Sequence, residues 1–371
     1  MKREMRDGKK DGLESLEAID VRSANSLAEM LRQMSKTAFG GRELGQAYLV
    51  LREMAEDSSC TIIVTVSGAM TIAKMGRVLC EMIDGGLAHI VVSTGALLAH
   101  GLSESIGGVH YKYDGRTPDR VLYERGYNRV YDTLEMEANL AATNDLINEV
   151  VRDYDWSRPT CSHEINRQIG RHLAERGLMP SILGCAYRKG VPVFVPAFTD
   201  SELALDLATH FLKKATKKGA RKESGVRGRE EAENLFSSQP PPFNPFLDLY
   251  DFARRVCAAK TLGIFTIGGG VPRNWGQQAG PFVDIINMRL GLNLPTPRIR
   301  YGVRICPEPA HWGGLSGCTY SEGVSWGKFM SPDEGGRFAE VHCDATIAWP
   351  LLIRAVLEAR EKEDGTADER R

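Results

Sequence analysis

The chain has 371 residues, of which 42% are hydrophobic and 26% are charged, and its formal net charge is −1 at pH 7. This composition is typical of a globular protein with a sizeable core and excludes a mainly disordered chain. The balanced charge gives no sign of a nucleic-acid or anionic-membrane partner, so we expect neither. No apolar run approaches the roughly 20 residues of a membrane span, and no apolar segment follows the charged N-terminus. We therefore expect a cytoplasmic protein.

Cysteine and histidine patterns exclude several kinds of site. The eight cysteines are scattered and form no Cys-x-x-Cys pair, which favours reduced thiols over a disulfide framework or a zinc site. The eight histidines contain no His-x-x-x-His pair, so the sequence predicts no metal site.

Apolar runs alternate with amphipathic helical patterns along most of the chain. This alternation predicts an α/β fold of Rossmann-like type, with a doubly wound, mostly parallel sheet flanked by helices in one large domain. Strands are predicted at 61–66, 89–92, 192–198, from 263 to the glycines at 268–270, at 298–305 and from 341. Helices are predicted in 23–56 with a break at Gly40-Gly41, and at 70–83, 133–151, 199–211, 247–260 and 350–361.

Three segments fall outside this pattern. Residues 1–22 are expected to form a mobile tail ahead of a domain at 23–362, and 363–371 a charged C-terminal tail. Residues 213–245 are basic, then acidic, then rich in proline, which is typical of a solvated surface insertion.

Small and polar residues follow several of the predicted strands. They are Ser67-Gly68, Ser93-Thr94-Gly95, Asp200, Gly268–Gly270 and Asp344-Ala345. Each alone is explained by a turn or by tight packing. Together they lie on one rim of a parallel sheet, where hydroxyl groups and bare amides suit a pyrophosphate and a carboxylate suits a ribose diol. The sequence therefore predicts a dinucleotide site.

One lysine lies in a glycine-rich stretch near the C-terminus. Thr319–Lys328 reads Thr-Tyr-Ser-Glu-Gly-Val-Ser-Trp-Gly-Lys. A lysine of lowered pKa can form an imine with a carbonyl or imine carbon. The stretch alone favours an exposed loop lysine next to a buried tryptophan.

The order of these motifs resembles the deoxyhypusine synthase family. The resemblance rests on 92–96, 190–200, 267–271, 322–328 and 344–352, and covers about 60–356. It implies a homotetramer that binds NAD between subunits and oxidises spermidine. A 4-aminobutyl group then passes through an imine on an enzyme lysine to an acceptor, which is a protein lysine in deoxyhypusine synthase and putrescine in the related homospermidine synthase.

The same resemblance implies residue roles. Lys328 matches the imine-forming lysine, and Asn274 occupies the position of a histidine that assists amine deprotonation. The implied polyamine contacts are Glu322, Trp326 and Gln278. Glu202, Asp206, Glu308 and His311 are candidates to compensate for the carboxylates that the family has and this sequence lacks. The implied cofactor contacts are Ser67, Gly68, Ser93, Thr94, Gly95, Asp200, Gly268, Gly269, Ser316, Gly317, Asp344 and Ala345.

Departures from the family pattern leave the substrate open. An amide such as Asn274 cannot act as a base near neutral pH, and family carboxylates are replaced by Leu98, Ala99 and Leu315. The first hypothesis is an NAD-dependent aminobutyl transferase of this family, acting on a protein lysine or a small amine. The alternatives are an enzyme like homospermidine synthase and a non-catalytic protein that binds NAD or polyamine.

Overall fold

The computed structural model describes residues 7–178, 180–219, 233 and 235–368. Its strands are β1 Cys60–Val66, β2 Ile90–Ser93, β3 Tyr111–Lys112, β4 Tyr127–Val130, β5 Thr133–Met136, β6 Val193–Phe194, β7 Thr261–Ile267, β8 Tyr301–Ile305 and β9 Arg337–Val341. Its helices are α1 Leu27–Met34, α2 Phe39–Glu56, α3 Gly76–Asp84, α4 Gly95–Ser105, α5 Asp119–Glu124, α6 Glu137–Arg152, α7 Ser162–Glu175, α8 Ile182–Lys189, α9 Glu202–Gly219, α10 Pro245–Ala258, α11 Gly270–Gly276, α12 Ala279–Leu290, α13 Tyr320–Ser325 and α14 Ala345–Asp368. Within these ranges no helix is both long and apolar enough to cross a membrane.

A six-stranded parallel sheet forms the centre of the fold, in the order β6-β2-β1-β7-β8-β9. The chain starts in the middle at β1 and winds outward through β2 to β6. It then returns to place β7 beside β1 and winds outward in the other direction. This is the Rossmann strand order, with its topological switch point between β1 and β7. The predicted fold class is confirmed.

The two central strands are buried on both faces, as continuous apolar runs in a parallel sheet require. In β1, Ile62, Val64 and Val66 pack into the larger hydrophobic cluster, whereas Ile63 between them packs into the smaller cluster on the other face. In β7, Phe265 packs into the larger cluster and Ile264 into the smaller one. Side chains that alternate between two buried faces explain why neither strand shows a polar–apolar alternation.

A second sheet was not predicted. Strands β3, β5 and β4 form a three-stranded antiparallel sheet. The helix predicted over 133–151 is wrong at its start, because Thr133–Met136 form β5 and the helix begins at Glu137. Leu134 and Met136 follow the two-residue period of a strand, but this alternation is too short to stand out from the helical pattern that continues it.

Other boundaries also differ from prediction. The last strand, predicted to begin at Val341, instead ends there. The helix α14 begins at Ala345 because Asp344 Oδ1 accepts the Thr346 N–H at 2.8 Å. The break in 23–56 lies at 35–38, and Gly40-Gly41 are in the first turn of α2. The region of the predicted insertion is α9 up to Gly219, whereas 220–232 and 234 lie outside the described residues. The domain and tail boundaries therefore stay predictions.

The carboxyl ends of β7 and β8 approach each other closely. A Cβ on Gly269 would lie within 2.5 Å of Ser316 Cβ, and the Gly270 N–H donates to Ser316 Oγ at 3.0 Å. Glycine at 269 is therefore required by packing between the β7 turn and the segment that follows β8. This contact brings the predicted cofactor residues of two strand ends together.

Gly269→Ala should lower the free energy of unfolding by about 1–3 kcal/mol, because its methyl group overlaps Ser316. Gly40→Ala is the matched control, since nothing lies within 4 Å of a Cβ there and residue 40 is helical. That control should be neutral or stabilising by up to about 1 kcal/mol. Urea denaturation at a fixed protein concentration measures both. Equal stabilities of the two variants would contradict the packing argument.

Candidate active site

The Trp-Gly-Lys sequence forms the C-terminal cap of α13. Thr319 caps the start of this helix, where its side chain accepts the Glu322 N–H at 3.2 Å. At the other end Gly327 has φ +68°, the Gly327 N–H donates to Val324 O at 3.0 Å and the Lys328 N–H donates to Gly323 O at 3.1 Å. These two bonds define a Schellman motif, in which glycine is the residue that adopts a left-handed conformation without strain. The cap fixes the direction in which Lys328 leaves the helix.

The amine of Lys328 lies against α11. Its Nζ donates to Asn274 Oδ1 at 3.1 Å, one helical turn beyond Gly270. Burial lowers the pKa of Lys328, and the guanidinium of Arg273 lowers it further, whereas Cys318 and Glu322 act in the opposite direction. An amine in this environment is closer to the neutral, nucleophilic form than an exposed lysine.

Arg273, the residue before Asn274, is buried. Its side chain is 2% exposed and lies over the ring of Tyr320, with Cζ 5.7 Å from the ring centroid. Nη1 donates to Leu315 O at 3.4 Å, but Nε and Nη2 have no hydrogen-bond partner among the described residues. The nearest acidic side chain that acts on Lys328, Glu322, is exposed.

Trp326, two residues before the lysine, is largely exposed within this chain. Its side chain is 66% exposed. Leu315, whose carbonyl oxygen accepts from Arg273, and Val271, two residues before Arg273, are each 47% exposed. Gln278 is half-buried at the start of α12. Its side chain makes no hydrogen bond with any described residue. The site therefore has an open side formed by large apolar groups.

The predicted cofactor residues form a continuous rim at the carboxyl edge of the sheet. Ser67 Oγ donates to Gly269 O across the switch point. Thr94 Oγ1 donates to Gly68 O at 2.6 Å and accepts the Leu97 N–H at 3.2 Å, which caps α4. Ser316, followed by Gly317, joins the rim through its bond to Gly270. The hydroxyl groups of Ser67, Thr94 and Ser316 thus hold the turns together.

Several polar groups of this rim remain available to a ligand. In the described part of the chain, the N–H groups of Gly68 and Gly269 donate to no acceptor. Ser93 Oγ is buried at the end of β2 and has no hydrogen-bond partner there either. Asp200 is exposed, beside the turn where Ser201 contacts the Cβ position of Gly95. Free amides at a switch point fit a dinucleotide phosphate.

Two carboxylates of the predicted site, Asp344 and Asp206, make hydrogen bonds elsewhere in the fold. Asp344 caps α14 and is exposed, next to the buried Ala345. Asp206 lies on α9 beyond β6, where Oδ1 accepts from Asn144 Nδ2 at 2.6 Å and Oδ2 is buried without a partner among the described residues. Desolvation raises the pKa of Asp206, and it also raises the pKa of the nearby Glu202. None of the contacts of Asp206 links it to Lys328 within this chain.

Sequence reasoning missed a buried polar cluster around Glu135. Glu135 Oε2 accepts from His100 Nδ1 at 2.6 Å and from His110 Nε2 at 2.7 Å, and Lys74 Nζ lies 2.7 Å from His110 Nδ1. A lysine ammonium only donates, so His110 accepts at Nδ1 and carries its proton at Nε2. That nitrogen then has no lone pair for a metal, although the three side chains lie close enough together to hold one. The hydrogen bonds lower the pKa of Glu135 despite its desolvation, so its carboxylate remains ionised.

The comparisons with known proteins settle the family. The profile of the family described as deoxyhypusine synthase matches residues 29–223 and 233–356. The chain belongs to the deoxyhypusine synthase family. It is 32% identical over 342 residues to "Probable deoxyhypusine synthase 2" of Methanosarcina acetivorans, with 92% of this chain and 89% of that protein covered. This membership supports assignment as a transferase.

A second relative and a solved structure agree with the family assignment. The chain is 28% identical over 341 residues to the "Deoxyhypusine synthase-like protein" of Chlorobaculum tepidum, covering 91% of this chain and 88% of the relative. The crystal structure of an Entamoeba histolytica protein, provisionally named deoxyhypusine synthase, matches with a TM-score of 0.53 at 12% identity. That match covers 92% of this chain and 96% of the other and shows the fold alone.

Asp206→Asn should change how stability depends on pH. A carboxyl group whose pKa is raised by folding destabilises the folded state once pH exceeds its unfolded value of about 3.9. The free energy of unfolding of the unsubstituted protein should therefore fall relative to that of Asp206→Asn as pH rises from about 4, and level off above the raised pKa. Urea denaturation of both proteins from pH 4 to 8 measures this difference. A difference that does not vary with pH would contradict the role of desolvation at Asp206.

Proposed function

We propose that this protein is an NAD-dependent aminobutyl transferase that oxidises a polyamine such as spermidine. The 4-aminobutyl group passes through an imine on Lys328 to an acceptor amine. The observation that carries the proposal is the half-buried amine of Lys328, 3.1 Å from Asn274 Oδ1 and one turn from the free amides at the switch point. A cofactor bound by these amides would lie at one end of α11, and the nucleophile lies near the other.

The chain's own residues supply the covalent step. When bound, NAD would accept a hydride from the carbon beside a donor nitrogen and return it after transfer. Neutral Lys328 adds to the resulting imine carbon, and the released diamine carries away the nitrogen that was bonded there. Asn274 orients the lone pair of Lys328 by accepting one of its N–H groups. It takes no proton, because an amide is not a base near neutral pH.

The open side of the site fits an interface with another copy of the chain, as in the homotetramer that the family resemblance implies. Trp326 and Leu315 leave large apolar surfaces exposed near Lys328, and large exposed apolar surfaces are typical of interfaces. A second copy that covers them would exclude water from the lysine imine and slow its hydrolysis. Asp206, remote from Lys328 in its own chain, would then be available to a site completed by another subunit. Light scattering tests this directly, and a monomer at assay concentration would contradict it.

A small amine as the acceptor is a second form of this proposal. It is favoured by Leu315 and by Asn274, which replace groups that the family resemblance assigns to the polyamine site. Incubation with spermidine, putrescine and NAD, followed by mass spectrometry, distinguishes the two forms. Homospermidine as the product supports an enzyme like homospermidine synthase, whereas turnover that requires a protein lysine supports modification of a protein.

Lys328→Ala should abolish aminobutyl transfer and leave some NAD-dependent release of diamine, because it removes the nucleophile but leaves the cofactor rim intact. Loss of a nucleophile typically lowers the rate by several orders of magnitude, to about 10⁻⁴ of the original or less. Product formation is measured by mass spectrometry after labelling of amines.

Lys260→Ala is the control for this experiment, because Lys260 is exposed at the opposite edge of the sheet, just before β7. Its transfer rate should equal that of the unsubstituted protein. Full transfer by Lys328→Ala would overturn the proposal. If NAD binds to the unsubstituted protein and no polyamine yields a diamine, the chain is instead a non-catalytic binding protein.

A further inference from the structure

Three side chains of different chemistry meet where the start of α7 packs against α10. His163 Nδ1 lies 3.3 Å from Cys161 Sγ and 2.9 Å from Asp248 Oδ1, and the three donor atoms all lie within 4.8 Å of one another. Cys161 is 1% exposed and Asp248 is 3% exposed, whereas His163 is half-buried. Thiolate, imidazole and carboxylate are the ligands of zinc in proteins.

The buried carboxylate of Asp248 has no lysine or arginine partner among the described residues. Its ionic contact is with His163, and it also accepts the Ser162 N–H at 2.9 Å and the His163 N–H at 3.1 Å. These two backbone bonds cap α7. A metal ion would take the place of the imidazole proton at Oδ1 and leave both of them intact. Buried charges are ordinarily paired or bound to a metal, so a cation suits this carboxylate.

The cluster around Glu135 differs in this respect. There the ammonium of Lys74 occupies one ring nitrogen of His110 at 2.7 Å. Within the part of the chain that the structure describes, no ammonium or guanidinium group donates to Cys161, His163 or Asp248. No short motif indicates this second set, because 85 residues separate His163 from Asp248.

The other ring nitrogen of His163 faces a second carboxylate. Nε2 lies 3.6 Å from Asp251 Oδ2, which Arg255 Nε also contacts at 2.6 Å. Histidines that bind a metal through one nitrogen usually donate the other N–H to a carboxylate or a carbonyl, which fixes the ring and its tautomer. With its proton on Nε2, neutral His163 has its lone pair on Nδ1, the nitrogen next to Cys161 and Asp248.

The donor atoms have nearly the spacing of a tetrahedral zinc site. Bonds of about 2.3 Å to sulfur and about 2.0–2.1 Å to nitrogen and oxygen place neighbouring donors about 3.4–3.6 Å apart. The separations of 2.9 Å and 3.3 Å therefore need to widen by about half an ångström or less. His163 also lines a cavity of about 670 Å³, which offers the ion an entry path and water for a fourth ligand.

We propose that Cys161, His163 and Asp248 bind one zinc ion, with water as its fourth ligand and Asp251 orienting the imidazole. The ion ties the start of α7 to α10. As the bond from zinc to Sγ forms, the thiol proton leaves to solvent, and no oxidation or reduction takes place. The site uses none of the residues of the proposed transfer reaction.

The thiol makes zinc binding dependent on pH. Burial raises the pKa of Cys161, and the charges of Asp248 on α10 and Glu164 on α7 raise it further, whereas the Glu164 N–H lowers it. The thiol is therefore protonated in the protein without metal. Because binding releases that proton, the affinity should rise about tenfold from pH 7 to pH 8.

Cobalt(II) is the probe for this site, because a cobalt–thiolate bond absorbs in the near ultraviolet and a four-coordinate cobalt ion absorbs strongly in the visible. The unsubstituted protein, freed of metal with a chelator, should bind one equivalent of cobalt with both bands. Added zinc should displace the cobalt and abolish both bands.

Three variants assign the ligands. Cys161→Ser should lose the thiolate band, and Asp251→Asn should weaken cobalt affinity about 10–100-fold. Cys257→Ser is the matched control, because Cys257 is an exposed thiol near the end of α10. Its spectrum and affinity should equal those of the unsubstituted protein.

The outcomes separate this inference from the proposed function. Absence of the thiolate band in the unsubstituted protein would overturn the zinc site. So would its retention in folded Cys161→Ser, or its loss in Cys257→Ser. If Cys161→Ser does not fold, Asp251→Asn decides, since an unchanged cobalt affinity there would contradict the ligand set. Cobalt binding needs neither NAD nor polyamine, so failure of aminobutyl transfer would count against the proposed function alone.

Discussion

The hydrogen bond from Lys328 to Asn274 depends on two separate parts of the fold. The lysine is directed by the Schellman cap of α13, and the asparagine by α11, which begins at the glycine turn after β7. Ser316 connects these parts, because it contacts Gly269 and its Oγ accepts a hydrogen bond from the Gly270 N–H. The rigidity of the site therefore depends on the contact between the turn after β7 and the segment that follows β8.

Electrostatics near this hydrogen bond favour a neutral amine. Burial lowers the pKa of Lys328 and the guanidinium of Arg273 lowers it further, whereas Cys318 and the exposed carboxylate of Glu322 act in the opposite direction. A charge facing water is screened far more strongly than one inside the protein. A fold can thus activate a lysine without a neighbouring general base, at some cost in stability.

Much of this architecture could be predicted from the sequence, because a buried parallel strand is visible as a short β-branched run. The run ending at Val66 and the one ending in Gly268 were placed correctly, and their alternation with helical patterns implied the doubly wound order. The antiparallel sheet escaped because β3 and β4 are short and largely exposed. Their pattern carries no burial signal.

The charged groups of the interior were harder to predict, since burial of a polar side chain depends on residues distant in sequence. Glu135 is buried because His100 and His110 are brought to it by α4 and by the loop before β3. Arg273 is adjacent to a family motif, but the sequence does not show that it is buried over the ring of Tyr320. It also does not show that Nε and Nη2 of Arg273 have no hydrogen-bond partner among the described residues. Exposure of Trp326 likewise could not be read from its position beside Lys328.

The central claim is that Lys328 carries the transferred group, and reductive trapping tests it most directly. The protein is incubated with NAD, spermidine and cyanoborohydride, digested, and its peptides are analysed by mass spectrometry. The account predicts that the Lys328 peptide gains the mass of one 4-aminobutyl group only when both NAD and spermidine are present. Release of diamine with Lys328 unmodified, or the adduct on a different lysine, would contradict it.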